Sequence, residues 1–292
     1  MLRSMYSGIG GMKNFQVKLD VIGNNIANVN TYGFKKGRTI FKDLVSQQIA
    51  GASAPTANRG GVNPKQVGLG TQLAAIDTVH TQGSLQTTGR TLDLAISGDG
   101  FFVLGNGVTG TTINGPVYTR AGNFYLDQNG DIVNADGLYL IGEPYNQPPG
   151  ANTPTGNVGK INIPTTAKSF SIGSDGTVNY VDSTGNLVIA GKIYLAKFKN
   201  NEGLEKVGQN LFRQTANSGS IDVDGDGVEL GELNAPGNGG TGTIVAGALE
   251  MSNVDLSEEF TEMIVAQRGF QANTRIITTS DQILEELVNL KR

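Results

Sequence analysis

The sequence predicts a mostly β central domain, antiparallel and hairpin-rich, flanked by N- and C-terminal α-helices that pair as a coiled-coil domain. Three observations lead there. Glycine is uneven, with 35 of the 42 residues between positions 46 and 249 and only Gly269 beyond them. Charge is uneven as well: residues 1–45 carry a balance of +5 and residues 250–292 a balance of −4, in a chain of net charge −4. Finally, the ends show seven-residue apolar periodicity, whereas the middle alternates short apolar runs with Asn-Gly and Asp-Gly. The 292 residues suit about two domains.

Residues 1–32 are the first expected helix. Met5, Met12, Leu19 and Ile26 share one seven-residue track, and Phe15, Ile22 and Val29 share another. Gly8, Gly10, Gly11 and Gly23 weaken it, each by about 1 kcal/mol relative to Ala in a helix interior. A partner is therefore needed. Residues 33–70, rich in Gly, Pro, Asn and small side chains from 47 onward, read as a linker. Residues 71–249 read as the β domain. TLDLAI and FFVL flank Gly98-Asp99-Gly100, and Asn129-Gly130, Asp136-Gly137, Asp175-Gly176 and Thr184-Gly185 separate later runs in the manner of hairpin turns. An exposed loop is expected near 145–159.

Residues 250–292 are the second helix of the coiled coil. From Val254 to Leu290 there is no proline, and Leu256, Met263, Phe270, Ile277 and Leu284 recur every seven residues with Phe260 and Val288 as companions. That is a heptad seam. A continuous helix here is about 55 Å long at 1.5 Å per residue, too long for a lone domain of this size to cover. The acidic seam and the basic N-terminal track are complementary, and either the two ends of one chain or separate subunits can supply the pairing.

The composition excludes much chemistry. Zero Cys removes disulfides, thiolate nucleophiles and zinc-thiolate sites, and the single His80 provides at most one imidazole. His80, in DTVHTQG, reads as an ordinary surface or hydrogen-bonded histidine. GNGGTG (237–242) fits G-x-G-x-x-G in spacing but lacks the βαβ context, so it reads as a turn. DVDGDGVELGEL places Asp222, Asp224 and Asp226 at positions 1, 3 and 5 of a calcium loop, with Gly227 at 6. Position 12 is Leu233, however, with Glu232 one residue early and Glu229 at position 8. These aspartates are a weak metal candidate, and an acidic surface loop is the favoured reading. No catalytic site or cofactor is expected, and the net charge speaks against nucleic acid. MLRSMYSGIGGMKNFQ has no apolar signal core and no window approaches a membrane span, so neither a signal peptide nor a membrane span is expected, and any passage out of the cytosol would use another route.

LDVIGNNIANVNTYGFKK (19–36) and EMSNVDLSEEFTEMIVAQRGFQANTRIITTSDQILEELVNLKR (250–292) resemble the terminal segments of the bacterial flagellar rod and hook proteins. TGRTLDLAISGDGFF (88–102) and FSIGSDGTV (170–178) resemble segments of that family's β domain. Asn24, Asn25, Asn28, Gly33 and Phe34 carry the N-terminal signature. Within the family, MIVAQR, Gln271-Ala272-Asn273 and the Leu287–Leu290 ending resemble hook subunits of the short type. The long segment 47–67 instead resembles that of a distal rod subunit, and in the family this segment bears on stiffness against bending.

The resemblance implies a self-assembling axial subunit, a homopolymer forming a helical tube. It implies the curved hook that passes torque to the filament, with the distal rod as the alternative. Implied partners are the distal rod protein, the hook cap protein, the hook–filament junction proteins and the flagellar type III export apparatus, without membrane insertion. The implied place is the flagellar hook or basal body, outside the cell after signal-less export, with an export signal near Phe34 to Leu44. A secreted calcium-binding β adhesin is the reading from a different class, but it leaves two complementary heptad ends unexplained.

Overall fold

The computed structural model describes residues 2–56, 59–109, 111–146, 153–222 and 227–290. It contains two compact units, each assembled from discontinuous stretches. One comprises Met1–Ala27, Lys36–Val79 and Val254–Arg292, and the other Asn28–Lys35 and His80–Asn253. The expected class is present: antiparallel β structure dominates, and the N- and C-terminal helices pack together.

In the first unit, α1 (Leu2–Ala27) and α2 (Leu256–Leu290) run antiparallel, with Phe15 meeting Gly269 and Asn25 meeting Glu259. Asp255 starts α2 by accepting hydrogen bonds from the Ser257 and Glu258 amides at 2.8 and 3.4 Å, an N-cap that satisfies otherwise orphaned donors. Of the helix glycines, Gly8, Gly11 and Gly269 lie where the two helices approach, whereas Gly23 has open space around it. A Cβ on Gly269 would stand 2.5 Å from Phe15 Cζ, and one on Gly11 would stand 2.8 Å from Asn273 Nδ2.

The same unit contains β1 (Gly37–Asp43), β2 (Gln47–Ala50), β3 (Lys65–Val67) and β4 (Thr71–Thr78). β1 pairs antiparallel with β4 along another side of α1. There Asn14 donates to Thr71 Oγ1 at 2.9 Å, and Phe15 meets Phe41 edge-on at 6.2 Å. Between them, β2 pairs with β3, and bridges Ser53–Val62 and Thr56–Arg59 continue the ladder. The stretch read as a linker is therefore one long hairpin arm. Every described residue from Val45 to Leu69 is exposed, so backbone pairing alone extends it.

The second unit is β-rich and includes β5 (Leu85–Thr87), β6 (Leu94–Ser97) and β7 (Phe101–Gly105). Its main sheet runs in the order Ser169–Ile172, Thr177–Val181, Leu187–Ile193, Tyr139–Pro144, β7, Val117–Thr119, Leu211–Arg213, Glu205–Gly208. β7 is buried throughout and its side chains alternate between two cores. Phe102 and Leu104 join Leu94, Ile96, Phe124 and Leu140, whereas Phe101 and Val103 join Tyr118, Ile141, Phe198 and Phe212. That double burial explains why FFVL is apolar without interruption. Turn residues Gly130, Gly137, Gly176 and Gly185 all have φ between +82 and +91°, as their hairpins require. Of the loop near 145–159, residues 147–152 lie outside the described set.

Candidate functional site

The helix pair carries the apolar seam. Met263, Phe270, Ile277 and Leu284 are half-buried, as are Met5, Met12, Leu19 and Ile26. Their companions on α2 are Glu259, Ala266, Asn273 and Ser280, three of them buried and Asn273 half-buried. The second track facing α1 is thus small or polar, and Phe260, 50% exposed, and Val288 lie off it. Leu256 is also exposed. Small side chains on this track permit the close approach seen at Gly8, Gly11 and Gly269.

Charge closes one end of the pair. Lys18 pairs with Glu262, and Lys36 with Glu258 at 2.7 Å. Asn25 is buried and donates to Glu259 Oε2 at 3.1 Å and to the Gly37 carbonyl at 2.9 Å, while its Oδ1 accepts from the Gly37 amide. These side chains line a cleft of about 260 Å³ with Val21, Ile22, Arg38 and Thr39. The basic and acidic ends of the chain do meet within this unit.

The rest of the signature belongs to the β-rich unit. Asn28 accepts from Thr31 at its carbonyl and its Oδ1, both at 3.1 Å. Gly33, at φ +70°, donates its amide to the Glu250 carbonyl, and a Cβ there would stand 2.5 Å from the Ala121 nitrogen. No other residue fits without moving backbone. Phe34 is buried with Lys206 Nζ 4.9 Å above its ring. Asn24, by contrast, is exposed on α1.

Lys35 leads to a buried ionic network that sequence reasoning missed. Its ammonium lies 2.6 Å from Glu250 Oε1, with neither side chain exposed, and also donates to the Thr81 carbonyl. Arg120 reaches Glu250 Oε2 at 3.2 Å, and the Gly83 amide donates to Oε1 at 3.0 Å. Burial pulls both Lys35 and Arg120 below their usual values, opposed by Glu250. A lone acid following Ala248-Leu249 was the available signal, because an isolated charge in an apolar strand needs a buried partner.

His80 sits beside this network, not on the surface. Its ring meets Phe101 and Phe212 at 5.7 and 5.5 Å, and both nitrogens are buried without a partner. Burial first, and then the cations Lys35, Arg120 and Lys206, lower its pKa to about 4. A neutral imidazole wedged between aromatic rings is packing material.

Of the metal candidates, Asp224 and Asp226 lie outside the described residues. Asp222 Oδ2 accepts from the Gly227 amide at 3.2 Å. Glu229 and Glu232 cap each other across the short helix Leu230–Glu232. Among the described residues no group of three His, Asp or Glu side chains is placed to hold a metal. Gly237, Gly239 and Gly240 all have positive φ, so GNGGTG is a turn.

Three family models match. "Flagella basal body rod protein" covers residues 5–35, "Flagellar hook protein FlgE/F/G D1 domain" covers 95–180, and "Flagellar basal body rod FlgEFG protein C-terminal" covers 245–290. The flagellar basal-body rod protein FlgG of Bacillus subtilis is 56% identical across the whole of both chains. The FlgG of Caulobacter vibrioides is 36% identical over 99% of this chain and all of its own. The flagellar hook protein FlgE of Borreliella burgdorferi is 33% identical over the whole of both chains.

Proposed function

Because the chain belongs to the flagellar basal-body rod and hook protein family, we propose that it is the distal rod subunit of the bacterial flagellum. The family makes it a structural axial protein of the flagellum. The observation that carries the finer reading is identity: rod-named relatives match end to end, at 56% in one case against 33% for a hook-named one. This favours the rod over the hook subunit that the C-terminal residues suggested. The short motifs MIVAQR and Gln271-Ala272-Asn273 are too few to outweigh similarity spread over the whole length.

The geometry is consistent with a rigid axial tube. Subunits associate through terminal helices, whose apolar faces are only half covered within one chain, and the polymer repeats that contact in every copy. The β-rich unit, with two cores and a buried ionic network, supplies a stiff body for transmitting torque. The hairpin arm from Val45 to Leu69 offers backbone and side chains to neighbours in the same polymer. Export through the flagellar type III apparatus goes with the glycine-weakened α1, which depends on packing for its helicity. Hook components, cap and junction proteins would then lie distal to it.

Electron microscopy of basal bodies from cells lacking the chain tests the assignment. The expected result is a rod that ends short of its full length, with no hook. A complete rod lacking only the hook would restore the hook reading.

A further inference from the structure

Two adjacent lysines mark a place where the chain passes from one unit to the other. Lys35 ends the segment Asn28–Lys35 of the β-rich unit, and Lys36 opens the segment Lys36–Val79 of the helical unit. The chain crosses again between Val79 and His80 and between Asn253 and Val254. Each lysine gathers the stretches that meet at these crossings, Lys35 within the β-rich unit and Lys36 within the helical one.

Within the β-rich unit, the Lys35 ammonium donates to the Thr81 carbonyl at 2.8 Å and to Glu250 Oε1 at 2.6 Å. Asn253 Nδ2 donates to the same carbonyl at 3.3 Å and to Thr81 Oγ1 at 3.0 Å. Residues beside all three crossings are thus tied through one carbonyl and one carboxylate. The Lys35 side is fixed, because an unexposed ammonium that left Glu250 would leave a buried charge uncompensated. Within the helical unit, the Val79 amide donates to the Lys36 carbonyl at 2.9 Å, and the Lys36 ammonium pairs with Glu258 at 2.7 Å. The same three stretches of sequence are tied a second time, by the next residue.

These ties keep the register of the helix pair. Gly33 donates its amide to the Glu250 carbonyl in the β-rich unit, while in the helical unit Asn25 meets Glu259, Phe15 meets Gly269 and Gly11 meets Asn273. Each step back along the N-terminal stretch is matched, within one residue, by a step forward along the C-terminal stretch. Five residues lie between Gly33 and the end of α1 at Ala27, and five between Glu250 and the start of α2 at Leu256. Along the chain alone, the 228 residues 28–255 separate those helix ends. A short closure costs less entropy than a long one and raises the effective concentration of one helix end at the other. That gain counts here, because α1 contains four glycines and a helix pays for its first turn before any packing rewards it.

We propose that Lys35 and Lys36 form a two-sided clasp that sets the register of the helix pair, and that pairing spreads from this end toward Leu2 and Leu290. The clasp works within a single chain and holds equally for a rod or a hook subunit.

Hydrogen exchange on the purified, unassembled full-length chain tests this. In the wild type, protection should be greatest in residues 19–27 and 256–264 and fall toward 2 and 290. Lys36→Met, which removes a partly exposed charge, should quicken exchange severalfold in 19–27 and 256–264, less at the far ends, and leave β7 unchanged. Lys35→Met should act in the same direction and more strongly.

Even protection along the helices, or protection greatest at the far ends, overturns the direction of pairing. Helices without protection in the wild type overturn the clasp altogether, as does a Lys36→Met chain whose helices exchange like the wild type. Equal quickening of β7 and the helices in Lys35→Met reduces that lysine to a stabiliser of the β-rich unit and overturns its side of the clasp. Where Lys35→Met fails to fold, Lys36→Met decides.

Discussion

At the scale of single residues, the most informative group is His80. Its imidazole titrates near pH 4 in the folded chain against 6.5 for a free histidine. Between those values the unfolded chain binds more protons, so stability is complete above pH 6.5 and falls as pH drops toward 4. The difference amounts to about 2.5 kcal/mol by pH 4.5. Urea unfolding at pH 7 and at pH 4.5 should therefore show a loss in the wild type that is about 2 kcal/mol smaller in His80→Gln. An equal loss in both proteins would mean that other groups set the acid limit. Glu250 plays a different part: it is the carboxylate that Lys35 and Arg120 share, and without it two buried cations would lack their counterion.

At the scale of elements, the helix pair turns on a competition at Gly269. Alanine in its place gains about 1 kcal/mol of helix propensity. The added methyl, however, would lie under 3 Å from three atoms of the Phe15 ring, which is itself packed against Phe41. Overpacking of this kind costs about 1–3 kcal/mol, and a ring held on two sides has little room to yield. Gly269→Ala should therefore lose stability. Hydrogen exchange should quicken in α1 and α2 while β7 and its neighbours keep their protection. Slower exchange in the helices would show that Phe15 moves aside and that propensity wins.

At the scale of the whole molecule, the arm separates folding from assembly. The described residues Val45 to Leu69 are exposed, so removing 47–67 forfeits no core. The arm's base is narrow: a Cβ on Gly68 would lie 3.9 Å from Ser46 Oγ, and Leu44 donates to the Gly70 carbonyl at 2.8 Å. The shortened chain should melt within about 0.5 kcal/mol of the parent, as for surface changes in general, yet form polymers that bend more readily. Contour analysis of electron micrographs measures this. Straight, equally stiff polymers would relieve the arm of any mechanical role.

What the sequence determined by itself was whatever depends on near neighbours along the chain. Met263, Phe270, Ile277 and Leu284 spell a helical face through their spacing, FFVL spells a strand buried on both sides, and Asn129-Gly130 or Asp136-Gly137 spells a turn through backbone sterics. The paired basic and acidic ends were legible for the same reason, as local excesses of charge.

The tertiary structure decided everything that depends on a distant partner. Glu259, Ala266, Asn273 and Ser280 face α1 because Gly8, Gly11 and Phe15 lie opposite, and no apolar pattern announces a track of small and polar residues. Lys35 is buried because Glu250 awaits it, whereas Lys36, the next residue, pairs with Glu258 in the helical unit. The cost of burying a charge is set by the groups around it, and the carboxylates that pair with Lys35 and Lys36 arrive from 215 and 222 residues away along the chain.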